Sequence, residues 1–75
     1  MQLHTQTLNA LAIRLRHERQ VQNLSREQLA AVCNVSTSFI RDAESDPGSC
    51  SLALLLKLMQ ALGLKASIDG WESGA

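Results

Sequence analysis

Two serines constrain the middle of this 75-residue chain most strongly, because each stands where it would begin a helix. Ser25 is followed three residues later by Gln28, the spacing of a capping box in which both side chains accept hydrogen bonds from free backbone N–H groups. Ser36 precedes a second segment of helical periodicity, and Asn34 between them tolerates the positive φ that ends a helix. The pattern predicts two short helices joined by a tight turn, the second running to about Ser45.

A further helix flanks this pair on each side. Apolar residues at helical spacing predict the first helix from Leu8 to about Gln22, and Ser51 is placed to cap a fourth helix that runs to Leu62. The fold class is therefore all-α. The residues expected in the core are Leu8, Leu11, Ala12, Leu15, Leu29, Ala30, Val32, Cys33, Phe39, Ile40, Ala43, Leu52, Leu55, Leu56, Met59 and Leu62.

One cation falls within the apolar side of the first helix. Arg19 lies about 20° from Leu8 around the helix axis, so its guanidinium must reach solvent or pair with an acid. Glu44 lies beside Ile40 at the edge of the buried side of the third helix. The spacing therefore predicts an ion pair between Arg19 and Glu44.

The apolar period changes after the fourth helix. Residues 64–69 alternate between apolar and polar, which predicts a β-strand. One strand in a helical chain has no neighbour, so we expect it to pair with the same strand of a second subunit. The fourth helix has a second apolar side, which we assign to the same partner. The residues expected at this dimer interface are Leu54, Leu58, Leu64, Ala66 and Ile68.

The length of the chain predicts one small domain over residues 1–75, with a helical core over 8–62 and a tail over 70–75. A core of this size gives thin stability, which independently favours a homodimer. Trp71 in the tail has two interpretations that the sequence leaves open. It is either a poorly covered side chain or an anchor for a pocket on a partner.

Charge is unevenly distributed, although the net charge is zero. Residues 1–41 contain five arginines and two glutamates, whereas residues 42–75 contain two lysines and five acids. Phosphate binding normally shows as a basic surplus, so the neutral total argues against nucleic acid. The positive half contains much of the third helix, and this distribution modestly favours a nucleic-acid partner.

Several classes of protein are disfavoured. Cys33 and Cys50 lack the spacing of a metal site and the density of a secreted disulfide scaffold, which favours a reduced cytoplasmic setting. We identify no signal peptide and no membrane span. No nucleophile, base or metal cluster has catalytic spacing, so we expect neither an enzyme nor a cofactor.

The paired short helices carry a family resemblance. Residues 24–30, 34–36 and 62–64, together with Ile40 and Glu44, resemble the Cro/CI-type helix-turn-helix domains of bacterial and phage repressors. The resemblance covers roughly residues 8–64 and implies a lambda-repressor-like domain that binds DNA.

A closer resemblance lies in the second half of the chain. Residues 44–47, 51–52 and 56–68 resemble HipB-type antitoxins, in which a C-terminal strand pairs across a dimer. This resemblance implies a homodimeric bacterial repressor, cytoplasmic and nucleoid-associated, that binds double-stranded operator DNA and a HipA-like serine/threonine kinase toxin. Two alternatives stay open: a stand-alone repressor without a toxin, and a protein-interaction module that has lost DNA binding.

The resemblance also implies roles for single residues. Arg26 stands where a glutamine that touches phosphate is common, and Arg19 with Glu44 matches an ion pair between the first and third helices. The polar side of the third helix matches a base-reading face, but Asp42 brings the wrong charge, so DNA shape and half-site spacing would supply part of the specificity. The residues expected to contact DNA are Arg26, Gln28, Ser36, Thr37, Ser38, Arg41, Asp42 and Ser45.

Overall fold

Helices form where the caps and the apolar periodicity place them. The structure, a computed structural model, describes residues 8–65, 67–68 and 71–72. Within these residues the helices are α1 (Leu8–Val21), α2 (Arg26–Cys33), α3 (Thr37–Ser45) and α4 (Leu52–Ala61), and a 3₁₀ turn at Pro47–Ser49 precedes α4. Two short strands follow, β1 (Ser67–Ile68) and β2 (Trp71–Glu72).

Side-chain caps determine where the two central helices begin. Ser25 Oγ accepts a hydrogen bond from Gln28 N at 3.0 Å, and Gln28 Oε1 accepts one from Ser25 N at 2.8 Å. Ser36 Oγ accepts from Phe39 N at 3.0 Å. Asn34 ends α2 at φ 57°, a left-handed conformation that asparagine tolerates better than most residues. These local bonds fix the tight turn between α2 and α3.

The core lies where α3 packs against α1 and α2, and α4 packs against α2. Leu15, Leu29, Ile40 and Leu58 are its largest fully buried side chains. Leu24, Val35, Phe39, Cys50 and Leu64 cover its margin. None of the helices in the described ranges has the length and apolar character that crossing a bilayer requires.

Five of the core assignments were wrong. Leu8 at the start of α1 is 39% exposed, Val32 on α2 is 67% exposed, and Leu52 and Leu56 on α4 are also exposed. Leu58, assigned to a dimer interface, is 1% exposed and belongs to the core of its own chain. Because α4 is apolar on two sides, its sequence contains two candidate core faces. The face that packs is Leu55, Leu58, Met59 and Leu62, whose spacing of three, one and three follows the helical period.

The C-terminal strand has a partner in its own chain, so the expectation that it lacks one was wrong. β1 pairs antiparallel with β2, with Ser67 opposite Glu72 and Ile68 opposite Trp71. Trp71 and Glu72 therefore belong to a strand rather than to a loose tail. Leu64 is half-buried at the edge of the core, and Ala66 lies outside the described residues. Pairing of β1 across a dimer stays a prediction.

Candidate nucleic-acid interface

The polar side of α3 forms an exposed surface, which we call the outward face. Ser38, Arg41, Asp42 and Ser45 are exposed and Thr37 is half-buried, whereas the opposite side of the helix is packed into the core. This face is one helix wide and carries short side chains apart from Arg41. An α-helix that presents one such exposed side has the dimensions to enter the major groove of B-form DNA.

Several hydroxyls and amides near this face are committed to the backbone. The hydroxyl oxygen of Ser36 and the amide oxygen of Gln28 accept the capping hydrogen bonds. Ser45 Oγ donates to the carbonyl oxygen of Arg41 at 3.0 Å. Arg41 Nη2 lies 3.5 Å from Ser38 Oγ, so the guanidinium retains donors for a ligand. Of the expected contact residues on α3, Arg41 therefore has the greatest free donor capacity.

A carboxylate on the buried side of α3 ties the helices together. The side chain of Glu44 is 2% exposed, and its Oε2 accepts from Arg19 Nε at 2.6 Å. Its Oε1 accepts from Arg19 Nη2 at 3.1 Å, which completes a bidentate pair between α1 and α3. Arg19 Nη1 donates in turn to the carbonyl oxygen of Leu24, just before α2 begins. One guanidinium thus bridges α3 to two other parts of the fold.

Glu44 has a second cationic partner that sequence reasoning missed. Arg26, the first residue of α2, places its Nε 3.2 Å from Glu44 Oε1, while its side chain remains 40% exposed. We call Arg19, Arg26 and Glu44 the Glu44 cluster. No periodicity joins Arg26 to Glu44, because their proximity depends on the angle between two helices. Arg26 was expected to contact phosphate only. In the structure, the Nε edge of its guanidinium is hydrogen-bonded to Glu44 within the protein.

Ion pairs engage much of the positive charge in the first half of the chain. Arg14 Nη2 lies 2.9 Å from Glu18 Oε1 within α1, and Arg19 and Arg26 share Glu44. Among the described residues, Arg16 and Arg41 have no carboxylate in ion-pair range. The exposed cation on the outward face is therefore Arg41, and the carboxylate of Asp42 is exposed beside it in sequence.

The two thiols have little chemical reactivity in this setting. Burial raises the pKa of Cys33, and the pKa of Cys50 is raised by burial and by the carboxylates of Asp42 and Asp46. Both thiols are therefore protonated and weakly nucleophilic at neutral pH. Within the part of the chain that the structure describes, no three His, Cys, Asp or Glu residues are grouped to hold a metal ion.

Comparison with known proteins gives one match. A family model described as helix-turn-helix, of the Cro/CI type, matches residues 15–69, which include α2, α3 and α4 in full. No curated protein and no solved structure matches the chain at a significant level.

The bidentate pair predicts an asymmetric response to mutation. Arg19→Met should lower the free energy of unfolding by about 3 kcal/mol, because it leaves the buried Glu44 with only the partial support of Arg26. Arg19→Met combined with Glu44→Leu should cost much less, since no buried charge is then left without its main partner. Urea unfolding at pH 7, followed by circular dichroism, measures both losses.

Arg14→Met is the matched control for this experiment. It removes the same type of side chain from an ion pair of similar length, but one in which the arginine is half exposed. The expected loss is about 0.5 kcal/mol or less. Equal losses in Arg19→Met and the double variant would show that the pair does not act as described.

Proposed function

We propose that this chain, which belongs to the Cro/CI-type helix-turn-helix family of DNA-binding transcription regulators, is an autorepressing antitoxin that also binds a HipA-like serine/threonine kinase. The observation that carries the DNA-binding part is the exposed outward face of α3, held rigidly from behind by Glu44. The antitoxin part is supported by the resemblance of residues 44–47, 51–52 and 56–68 to HipB-type antitoxins.

In this proposal α3 enters the major groove with its outward face toward the bases. Arg41 has the reach and the donors to contact a guanine edge or a phosphate. Thr37 and Ser38 are short, and Asp42 repels the backbone. Base contacts are accordingly few, so part of the specificity comes from DNA shape and from half-site spacing.

The proposed regulator is a homodimer. α4 leaves Leu54 and Leu56 exposed at the two opposite edges of its packed face, and Leu52 is exposed at the start of the helix. A second copy that covers these side chains would remove apolar area from water. Two α3 helices related by a two-fold axis would then reach successive major grooves about 34 Å apart.

A protein-interaction module is the second candidate, and a specific observation favours it. The chain has no net charge, and Asp42 is exposed on the surface proposed to approach phosphate. Such a module would show no salt-dependent retention of DNA. A stand-alone repressor, by contrast, would bind DNA in the same way and lack only the kinase.

Substitutions on the outward face should change DNA binding in opposite directions. With the duplex upstream of the chain's own coding sequence as probe, Arg41→Ala should weaken binding about tenfold, because it removes a charge-assisted contact. Asp42→Asn should tighten binding several-fold, since it removes repulsion from phosphate. Gel shifts at several salt concentrations measure both effects.

Arg16→Ala is the matched control for Arg41→Ala. It also removes one exposed arginine, but from α1. It should leave the affinity close to that of the unmodified chain. If Arg41→Ala and Arg16→Ala were equivalent, α3 would not be the recognition helix.

Removal of the C-terminal strands should weaken the dimer. Deletion of residues 66–75 takes away β1 and β2 but leaves Leu64 against the core. The dimer dissociation constant measured by sedimentation equilibrium should rise at least tenfold, because the strand contribution to the interface is lost. Deletion of residues 73–75 alone is the control and should change little. A shortened chain that stays dimeric at low micromolar concentration would contradict strand pairing.

The antitoxin role predicts a stable complex with a kinase. When a HipA-like kinase encoded beside this chain's gene is tagged and co-expressed with it, both proteins should purify together, and the chain should relieve kinase-dependent growth arrest. The same kinase expressed alone is the control. Recovery of the kinase without this chain, or neighbouring genes that encode no such kinase, would favour the stand-alone repressor.

A further inference from the structure

We infer that Glu44 has a second role, in which it positions Arg26 as a two-pronged ligand for a DNA phosphate. The inference rests on the proposed function and adds a positioning residue to it. Arg26 Nε is directed at Glu44 Oε1 at 3.2 Å, which fixes one edge of the guanidinium. Among the described residues, no acceptor is hydrogen-bonded to its two terminal nitrogens. These nitrogens form the end of the planar fork that can bind two phosphate oxygens.

The Glu44 cluster has a net positive charge, which favours the binding of an anion. One carboxylate faces two guanidinium groups, so the cluster carries an excess of one positive charge. Arg19 is the nearly buried member, with 11% of its side chain exposed, whereas Arg26 is 40% exposed. The excess charge is therefore available to solvent at Arg26, and an incoming phosphate would neutralise it there.

The position of Arg26 on α2 strengthens this inference. A cation at the first residue of a helix faces the positive end of the helix dipole, which is unfavourable in isolation. Glu44 offsets part of that repulsion, but it divides its carboxylate between two arginines. A phosphate bound by the terminal nitrogens would supply the remaining negative charge. The arrangement is thus better matched to the DNA-bound state than to the free protein.

This role depends on the geometry of the guanidinium group, and a positive charge alone is not sufficient for it. A guanidinium donates from Nε on one edge and from two terminal nitrogens at its end, so it can hold Glu44 and phosphate together. A lysine has a single ammonium at the end of a flexible stem and cannot present a fixed fork. Arg26→Lys therefore separates positioning from charge.

The experiment uses the full chain and a 20-base-pair duplex of mixed sequence, because a phosphate contact does not depend on base identity. Fluorescence anisotropy over a series of potassium chloride concentrations gives the affinity and its salt slope. Arg26→Lys and Arg26→Ala should both weaken binding about tenfold. Arg26→Ala should also lower the salt slope by about one, the value for one lost phosphate contact.

Arg16→Lys and Arg16→Ala are the matched controls. Arg16 is an exposed arginine on α1 with no carboxylate in ion-pair range among the described residues, so its lysine variant should bind as the unmodified chain does. If Arg26→Lys kept full affinity while Arg26→Ala lost it, charge alone would account for Arg26 and the inference would be overturned. Full affinity in Arg26→Ala would overturn it as well.

Glu44→Gln tests the positioning role of Glu44, because the substitution either weakens or tightens DNA binding. If Glu44 acted only as a negative charge near DNA, its removal would tighten binding, as expected for Asp42→Asn. A positioning role instead predicts that Glu44→Gln binds DNA more weakly than the unmodified chain does. It also predicts that Arg26→Ala lowers the DNA affinity less in the Glu44→Gln background than in the unmodified chain. Circular dichroism at the assay temperature establishes that the variant is folded. Tighter binding by folded Glu44→Gln would overturn the inference, whereas failure of the unmodified chain to bind any duplex would overturn the proposed function itself.

Discussion

The carboxylate of Glu44 is the constraint on which the arrangement of the helices depends. Its side chain is almost fully buried, so its charge is tolerable only while Arg19 holds both oxygens. Ile40 and Ala43 are fully buried on the same side of α3, but their apolar packing has little directional preference. The bidentate pair is directional, and it fixes the rotation of α3 about its axis. That rotation decides which side chains form the outward face.

Local features of the sequence predict the helices because their causes are local. Ser25 and Ser36 accept hydrogen bonds from residues three positions later, and Asn34 needs only its own backbone freedom. The proximity of Arg19 and Glu44 also follows from helical angles, since each lies on the core side of its own helix. The buried face of α4 could not be predicted in the same way. Because α4 is apolar on two sides, periodicity could not decide whether Leu56 or Leu58 is the buried residue.

Contacts set by the angles between elements could not be predicted in this way. Arg26 and Glu44 are 18 residues apart, on helices whose crossing angle the sequence does not state. The pairing of β1 with β2 did have a sequence signal, because Asp69 and Gly70 lie between them and Asp-Gly is a frequent hairpin-turn sequence. The expectation of a partner strand in a second subunit overlooked it.

The ion pairs also limit how strongly one copy of this chain could hold DNA under the proposed function. Three of the five arginines in residues 1–41 contact carboxylates. On the outward face, the negative charge of Asp42 offsets the positive charge of Arg41. Few phosphate contacts per copy mean weak non-specific binding. Two linked copies would gain affinity because the second contact becomes intramolecular, provided that the spacing of the half-sites matches the dimer. Under the proposed function, the scarcity of exposed positive charge would therefore make recognition depend on a dimer rather than on the single helix.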